Sequence, residues 1–286
     1  MDKNKTILIT GCSTGIGYTS ACLLKERGYR VFATARKQQD VDKLNAEGLE
    51  SIQLDLDDSD SIQTALKDIL QRTNNELFAL FNNGAYGQAG AVEDLTRATL
   101  RQQFETNLFG TVELTNRVLP IMRKQGYGRI IQNSSVLGLI TLPYRGAYNA
   151  SKYALEGITD TLRLELDDTA IHVSLIEPGP IESAFRKNAF AAYQRNIDRE
   201  HSAHREKYAA MEARLEGKAK KVPFKLPAEA VTKKLIHALE SPKPKARYYV
   251  TFPTYLFGTL RRLLSTRQLD FILRTVSQGE HQPNKG

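Results

Sequence analysis

Tyr148 and Lys152 stand four residues apart in Tyr148-Asn149-Ala150-Ser151-Lys152. On a helix this spacing sets a phenol and an ammonium on one face, the equipment for handing a proton to a carbonyl oxygen. A free phenol titrates near 10, too high for acid–base work at neutral pH. An ammonium about 5 Å away, at an effective dielectric near 20, favours the phenolate by roughly 3 kcal/mol, or about two pKa units. That moves the phenol toward the range where general acid–base catalysis is efficient. Ser135, upstream, offers a hydroxyl that folding can bring alongside to hold a substrate oxygen. Asn107 offers an amide that can anchor a water touching Lys152. Plainer roles stand beside these: a serine pair at a strand end caps turns, and an asparagine is an ordinary polar helix residue. With 12 Tyr in 286 residues, about one Tyr-x-x-x-Lys arises by chance, so the surroundings must carry the case.

The elements that would position this pair begin with Thr10-Gly11-Cys12-Ser13-Thr14-Gly15-Ile16-Gly17, which follows an apolar run and opens a helical one. Gly11, Gly15 and Gly17 allow a tight strand-to-helix turn and close approach to a diphosphate. Free N–H groups at the helix start, among them that of Ile16, face the anion. The spacing differs from the common Gly-x-Gly-x-x-Gly dinucleotide fingerprint. The second apolar run ends Thr34-Ala35-Arg36, with no carboxylate for a ribose 2′-hydroxyl. A guanidinium binds a 2′-phosphate bidentately, so Arg36, helped by the Ser13 hydroxyl, favours NADP(H) over NAD; the plain reading is an arginine ending a strand at the surface. Asp55-Leu56 closes the third run, with Asp55 placed either to take an adenine amino group or to join an acidic turn. Asn82 and Gly84, in Asn82-Asn83-Gly84-Ala85, close the fourth and suit a ligand lying across a sheet edge.

Short apolar runs at 5–10, 30–35, 51–54, 77–82, 129–133 and 171–176 read as buried strands. Helical stretches near 15–27, 59–73, 98–124 and 147–167 alternate with them, the second capped by Asp58 or Ser59. Such alternation implies right-handed crossovers and a parallel sheet with helices on both faces. Residues 185–221 read as one long polar helical stretch, 228–240 as a further helix and 247–251 as a last strand. From Pro253 a tail alternates apolar and basic residues (Tyr255, Leu256, Phe257, Leu260, Arg261, Arg262, Leu263, Leu264), and the last eight residues read as frayed. The chain is expected to be a single domain over 1–286. Its dinucleotide-binding and catalytic core would span 1–183, a substrate-side helical insertion 184–222, and the final helix, strand and basic amphipathic tail 223–286.

Hydrophobic residues make up 41% and charged residues 25% of the chain, the composition of a soluble globular protein. No apolar run reaches the roughly 18 residues that span a bilayer, and the N-terminal residues lack a signal peptide's apolar stretch. Cys12 and Cys22 read as reduced thiols, which points to the cytoplasm. The net charge of +8 is uneven: residues 1–183 sum to −4 and residues 184–286 to +12. That asymmetry motivates a rival reading, a fold-retaining binding or membrane-surface protein working through its basic C-terminal third. A nucleic-acid partner is not expected, since acids interleave the basic residues and no recognition motif occurs. His201 and His204 beside Asp198 and Glu200 read as solvated helix charges, and no metal is expected. Phe185, Phe190, Tyr193 and Tyr144 supply apolar surface for a substrate cleft or equally for a subunit interface.

In type and order, the glycine turn, Asn82-Asn83-Gly84-Ala85, Asn107, Ser135, Tyr148-x-x-x-Lys152 and Pro178-Gly179 resemble the short-chain dehydrogenase/reductase family in its compact form. The resemblance spans residues 5–183 and extends to about residue 251. It implies an α/β fold with a single Rossmann-type doubly wound parallel sheet of about seven strands. It implies B-face hydride transfer from nicotinamide and a tetrad formed here by Asn107, Ser135, Tyr148 and Lys152. Lys152, with Tyr148, would also bind the nicotinamide ribose, while Pro178, Gly179, Ile181 and Ser183 would line the nicotinamide, the last two at its carboxamide. Two departures touch cofactor geometry: Asn82-Asn83-Gly84-Ala85 replaces the family's Asn-Asn-Ala-Gly, and Ser183 replaces a threonine. The stretch SSVLGLITLPYRGAYNASKYALEG looks like the retinol- and hydroxysteroid-dehydrogenase side of the family and its bacterial aldehyde-reductase relatives. The function implied is NADP(H)-dependent reduction of a small apolar aldehyde or ketone by a homodimer or homotetramer. Sugar-nucleotide epimerisation on the same fold is disfavoured by the glycine spacing and the polar insertion.

Overall fold

Every residue of the first strand, β1 (Thr6–Ile9), is buried, as a strand covered by helices on both faces must be. Its side chains alternate between two cores. Ile7 and Ile9 join one apolar cluster, and Leu8 joins the other. The computed structural model describes residues 5–217 and 223–280; most of the expected frayed end and residues 218–222 of the expected insertion lie outside the described residues. The strands β2 (Arg30–Ala35), β3 (Glu50–Gln53), β4 (Ala79–Asn82), β5 (Gly128–Asn133), β6 (Ile171–Glu177) and β7 (Arg247–Tyr249) pair in parallel with β1 in the order β3-β2-β1-β4-β5-β6-β7. The expected Rossmann-type sheet of seven strands is therefore present. Its order reverses between β1 and β4, where a crevice opens at the carboxyl ends of the strands.

Helices α1 (Gly15–Glu26), α2 (Gln38–Ala46) and α9 (Glu229–Glu240) cover one face of the sheet, and α3 (Ser59–Arg72) and α5 (Gly110–Gln125) the other. Asp58 caps α3 by accepting from the N–H groups of Asp60 at 2.9 Å and Ser61 at 3.3 Å. The sequence gives little sign of α2, because only Val41 and Leu44 of its nine residues are buried. The helix expected over 98–124 is broken into α4 (Arg97–Phe104), a π turn (Glu105–Phe109) and α5. Such a turn re-aims side chains that a regular helix would carry past their partners. Gly110, just after it, packs so closely on Leu56 that a Cβ would collide with the Leu56 carbonyl oxygen.

The polar stretch after residue 184 is also two helices rather than one, α7 (Phe185–Asn196) and α8 (Arg205–Leu215). Ile197 ends α7 in extended conformation and is buried against Gly90, so the chain turns to sink an apolar side chain. Two further helices follow β7, α10 (Phe252–Leu263) and α11 (Thr266–Glu280). The Tyr148-to-Lys152 segment lies in α6 (Gly146–Glu165), whose buried stripe continues at four-residue spacing through Glu156.

Arg247 of β7 fastens this helix to the sheet. Its guanidinium donates to Glu156 and, at 2.5 Å, to Asp160 of α6, and at 2.6 Å to Glu177 at the end of β6. Glu177 is fully buried, and burial together with the nearby Glu156 charge pushes its carboxyl up to about 8. One cation thus faces three carboxylates, and Glu177 keeps its proton at neutral pH. Arg247→Met should lower stability by about 3–5 kcal/mol, read from urea unfolding at pH 7. A carboxyl raised in the fold favours the folded state below its unfolded pKa and loses that contribution as pH climbs toward 8. The deficit should therefore shrink as pH falls toward 5, and a deficit that grows on acidification would refute this account of the cluster.

Candidate active site

The glycine turn is stitched into the crevice from both sides. Cys12 N–H donates to Thr34 O at 2.7 Å, tying the loop to the end of β2 two residues before Arg36. Asn83, from the end of β4, donates through Nδ2 to the carbonyls of Thr10 at 3.0 Å and Gly11 at 3.1 Å. Its Oδ1 accepts from Asn133 Nδ2 at 2.9 Å, which carries the bracing across to β5. A Cβ on Gly11 would lie 2.7 Å from Gly84 Cα, and one on Gly17 would strike the Gly11 carbonyl. These glycines are required by the loop's packing on itself, and Gly15 alone of the three faces across to Ser183, at 3.0 Å from a would-be Cβ. Thr14 leads into α1 in extended conformation, and no side chain caps the helix. Its first N–H groups therefore stand beside Ser13, Thr14 and Ile16 on the cleft wall, in the arrangement that receives a diphosphate.

The cleft encloses about 410 Å³. Gly11, Ser13, Ile16 and Gly84 line it at the glycine turn, and Ser135, Tyr148, Lys152, Pro178, Gly179, Ile181 and Ser183 line it at the other end. Two dispersed groups of expected residues thus meet in one cavity. Arg36, Asp55 and Leu56 stand beyond its wall, at the carboxyl ends of β2 and β3. The Asp55 carboxylate accepts from Asp57 N–H at 3.1 Å, while Leu56 wedges between Gly84 and Gly110. Asn82 needs correction. Its amide donates to Thr115 Oγ1 of α5 at 2.9 Å, on the far side of the sheet from the cleft. Strand alternation turns Asn83, not Asn82, toward the cavity.

Ser135 follows β5, where a hydrogen bond from Val136 N–H to Pro178 O at 2.8 Å holds its loop against the 178–179 turn. The Ser135 hydroxyl accepts from Leu137 N–H at 3.1 Å and stands near the Tyr148 phenol on the same cleft wall. Tyr148 is 8% exposed, its ring edge-on to Phe185 at 5.2 Å between centroids. Lys152 lies with its ammonium 5.8 Å from the Tyr148 ring centroid and donates to Asn133 O at 2.7 Å. Burial pushes the Tyr148 phenol up to about 12, with the nearby Ser135 hydroxyl pulling the other way. Burial pulls the Lys152 ammonium down to about 8, against the nearby Glu156 charge. Burial, the largest influence on the phenol, thus acts against the lowering expected from its lysine.

Asn107 sits in the π turn, 1% exposed, and its side-chain polar groups are engaged by protein. Oδ1 accepts from Tyr86 N–H at 3.1 Å; Nδ2 donates to Tyr86 O at 2.9 Å and to Ser151 Oγ at 3.1 Å. The amide fixes the loop after β4 and the α6 residue next to Lys152. Phe185 and Tyr144 line the cleft, whereas Phe190 and Tyr193 stack on each other outside its lining, in the cluster beneath α7 and α8 that also holds Tyr144, Met211 and Leu215. Met211 and Leu215 of α8 also line the cavity; in sequence they are two apolar residues among charges, with no pattern to single them out. His201 pairs with Asp198 and His204 with Glu93, and among the described residues no group of three or more metal-ligating side chains gathers.

The comparisons agree with this geometry. The family model described as short chain dehydrogenase matches residues 5–194. The chain is 43% identical over 270 residues to the uncharacterized oxidoreductase YbbO of Escherichia coli (strain K12), covering 94% of each. It is 33% identical over 260 residues to human 17-beta-hydroxysteroid dehydrogenase type 1, covering 86% of this chain and 77% of that one. The crystal structure of a short-chain dehydrogenase from Streptomyces avermitilis superposes with a TM-score of 0.78 at 28% identity, over 98% of this chain and 99% of that one. Structures sharing the fold at 24% and 23% identity include one in complex with NAD and one with NADP+, so the fold does not itself choose the 2′-substituent. Matched over most of its length by the family model and by relatives above 30% identity, this chain belongs to the short chain dehydrogenase family and is an oxidoreductase of the nicotinamide-dependent kind.

Proposed function

We propose that the protein reduces an apolar aldehyde or ketone to its alcohol with NADPH. The observation that carries this reading is the buried Tyr148 phenol, on the same cleft wall as the Ser135 hydroxyl and one helical turn from Lys152, facing a cleft walled by Leu137, Leu142, Phe185, Met211 and Leu215. Bound NADPH supplies the hydride that adds to the carbonyl carbon. Tyr148 gives its proton to the carbonyl oxygen as the C=O bond becomes C–O, and solvent returns that proton afterwards. Ser135, whose oxygen already accepts from Leu137 N–H, has its own proton free to hold the substrate oxygen. The Lys152 charge stabilises the phenolate that remains. Asn107 acts through Tyr86 and Ser151 as a positioning residue.

The same reading gives the cofactor its contacts. The α1 N-terminus with Gly11, Ser13, Gly15, Ile16 and Gly17 holds the diphosphate, and Arg36 with Ser13 the 2′-phosphate. Asp55 and Leu56 flank the adenine, Asn83 and Gly84 the middle of the molecule, and Lys152, Pro178, Gly179, Ile181 and Ser183 the nicotinamide half. Residues 184–217 form the substrate wall. The protein works in the cytoplasm as a homodimer or homotetramer, for which half-exposed Phe109 beside Phe104 offers apolar surface. The cleft's apolar wall favours a lipid-like or aromatic carbonyl over a sugar.

Tyr148→Phe should cut kcat by about a thousandfold while the dissociation constant for NADPH, followed by nucleotide fluorescence, stays within about twofold. Near-normal turnover would sink the assignment. Arg36→Ala should weaken NADPH by about tenfold or more and leave NADH nearly unchanged, and equal losses for both would remove the cofactor assignment. In the direction of reduction, kcat/KM should fall as pH rises through about 8, where Lys152 loses its charge. A profile flat from neutral pH to well above 9 would show that the ammonium has no part in the proton transfer.

A further inference from the structure

We propose that α10 and α11 form a docking face for the surface of an anionic lipid bilayer. Large apolar side chains that remain exposed are concentrated there: Phe252 is 55%, Tyr255 50%, Leu256 39%, Leu263 75% and Phe271 72% exposed, and Phe224, 57% exposed, packs on Phe252 at 4.8 Å between ring centroids. On α10 the exposed residues 252, 255, 256 and 263 recur at one-turn spacing and share a single face. On α11 Phe271 shares its face with Arg267 and Arg274. The opposite faces of both helices are settled inside the protein, since Phe257, Leu260 and Leu264 of the first and Leu269, Ile272 and Leu273 of the second join one cluster with Tyr148. Both outward faces therefore turn to solvent on the side away from that cluster.

Charge selects the occupant. Among the described residues no carboxylate pairs with Arg262, Arg267 or Arg274, and in sequence residues 252–280 hold four arginines against Asp270 and Glu280, a net +2. A second copy of the chain would bring the same positive charge to this face and be repelled. An anionic headgroup layer attracts the arginines while their stems and the exposed aromatic rings sink into the interface. The helices would lie on the bilayer, for among the described residues no helix is long and apolar enough to cross one. The face adjoins the cleft, because Thr251 and Thr254 at the start of α10 pack directly on Gly179 of the cleft lining. Docking would thus bring the cleft close to molecules dissolved in the bilayer. The proposal stands whether or not the carbonyl reading above is right, since it is read by binding alone.

The test is sedimentation of the full chain with phosphatidylcholine vesicles made with and without about one third phosphatidylserine, at low and high salt. The protein should pellet with the anionic vesicles at low salt and stay in solution with the neutral ones or at high salt. Arg267→Gln and Arg274→Gln should each lower the partition about fivefold. Leu263→Ser with Phe271→Ser should lower it further, with circular dichroism and Tm unchanged because both side chains lie outside the core. Equal pelleting with both vesicle types, no pelleting with either, or full binding by the double serine variant would each overturn the proposal. So would a wild-type dimer that the serine variant dissociates without any lipid binding, which would give the face to a second copy.

Discussion

The structure depends on a lysine buried inside it. Lys152 is 3% exposed, and its ammonium reaches the Asn133 carbonyl at the end of β5 at 2.7 Å. Moving its pKa from 10.5 to about 8 corresponds to about 3 kcal/mol against the charged form. Because the folded value lies below the unfolded one, that cost is present in full below about pH 8 and fades as pH rises toward 10.5. The surrounding fold is arranged so that it can be carried. Glu156, one turn further along α6, supplies negative charge, and Arg247 holds Glu156 in place from β7. A core that sought only stability would seat an aliphatic side chain here.

Burial acts on the neighbouring tyrosine in the opposite chemical sense. The phenol, pushed up to about 12, keeps its proton across the physiological range, whereas the lysine is brought close to losing its own. A simple pairwise estimate between the two charges predicts the reverse for the tyrosine, since it omits the water both groups give up. The consequence concerns direction: a group that holds its proton firmly until a stronger base forms beside it is a donor at rest. An alkoxide forming on the substrate is such a base. That is the proton step the proposed reduction asks of Tyr148.

Much of the architecture is legible in the chain because a parallel sheet covered on both faces writes itself as uninterrupted apolar runs, and TILI and RVFATA are plain examples. The glycine turn, Ser135, Tyr148 and Lys152 are legible because their chemistry needs particular residue types at fixed places. What escapes notice depends on contacts distant in sequence. The π turn at Asn107 is set by Tyr86 and Ser151, and the break between α7 and α8 by Ile197 finding Gly90. Asn82 and Asn83 are adjacent and chemically identical, so only strand parity decides which one faces the cleft. Arg247 looks like any arginine in an edge strand, yet its partners lie 70 to 91 residues away. Composition also does not say which apolar residues of one helix turn inward, as the split of Phe257 from Leu256 in α10 shows.

That last split ties the end of the chain to the chemistry. Phe257, Leu269 and Leu273 close the cluster that holds the Tyr148 ring, and the start of α10 packs on Gly179. The two terminal helices therefore back the Tyr148 ring from behind the cleft, and they do so with the apolar residues that face inward. Their outward residues have no such duty in the fold, and a helix needs only one apolar face to dock on a core. Leaving Leu263 and Phe271 in water costs solubility without adding to the site. A face that is apolar and basic on helices that pack behind Tyr148 is best explained by something that covers it.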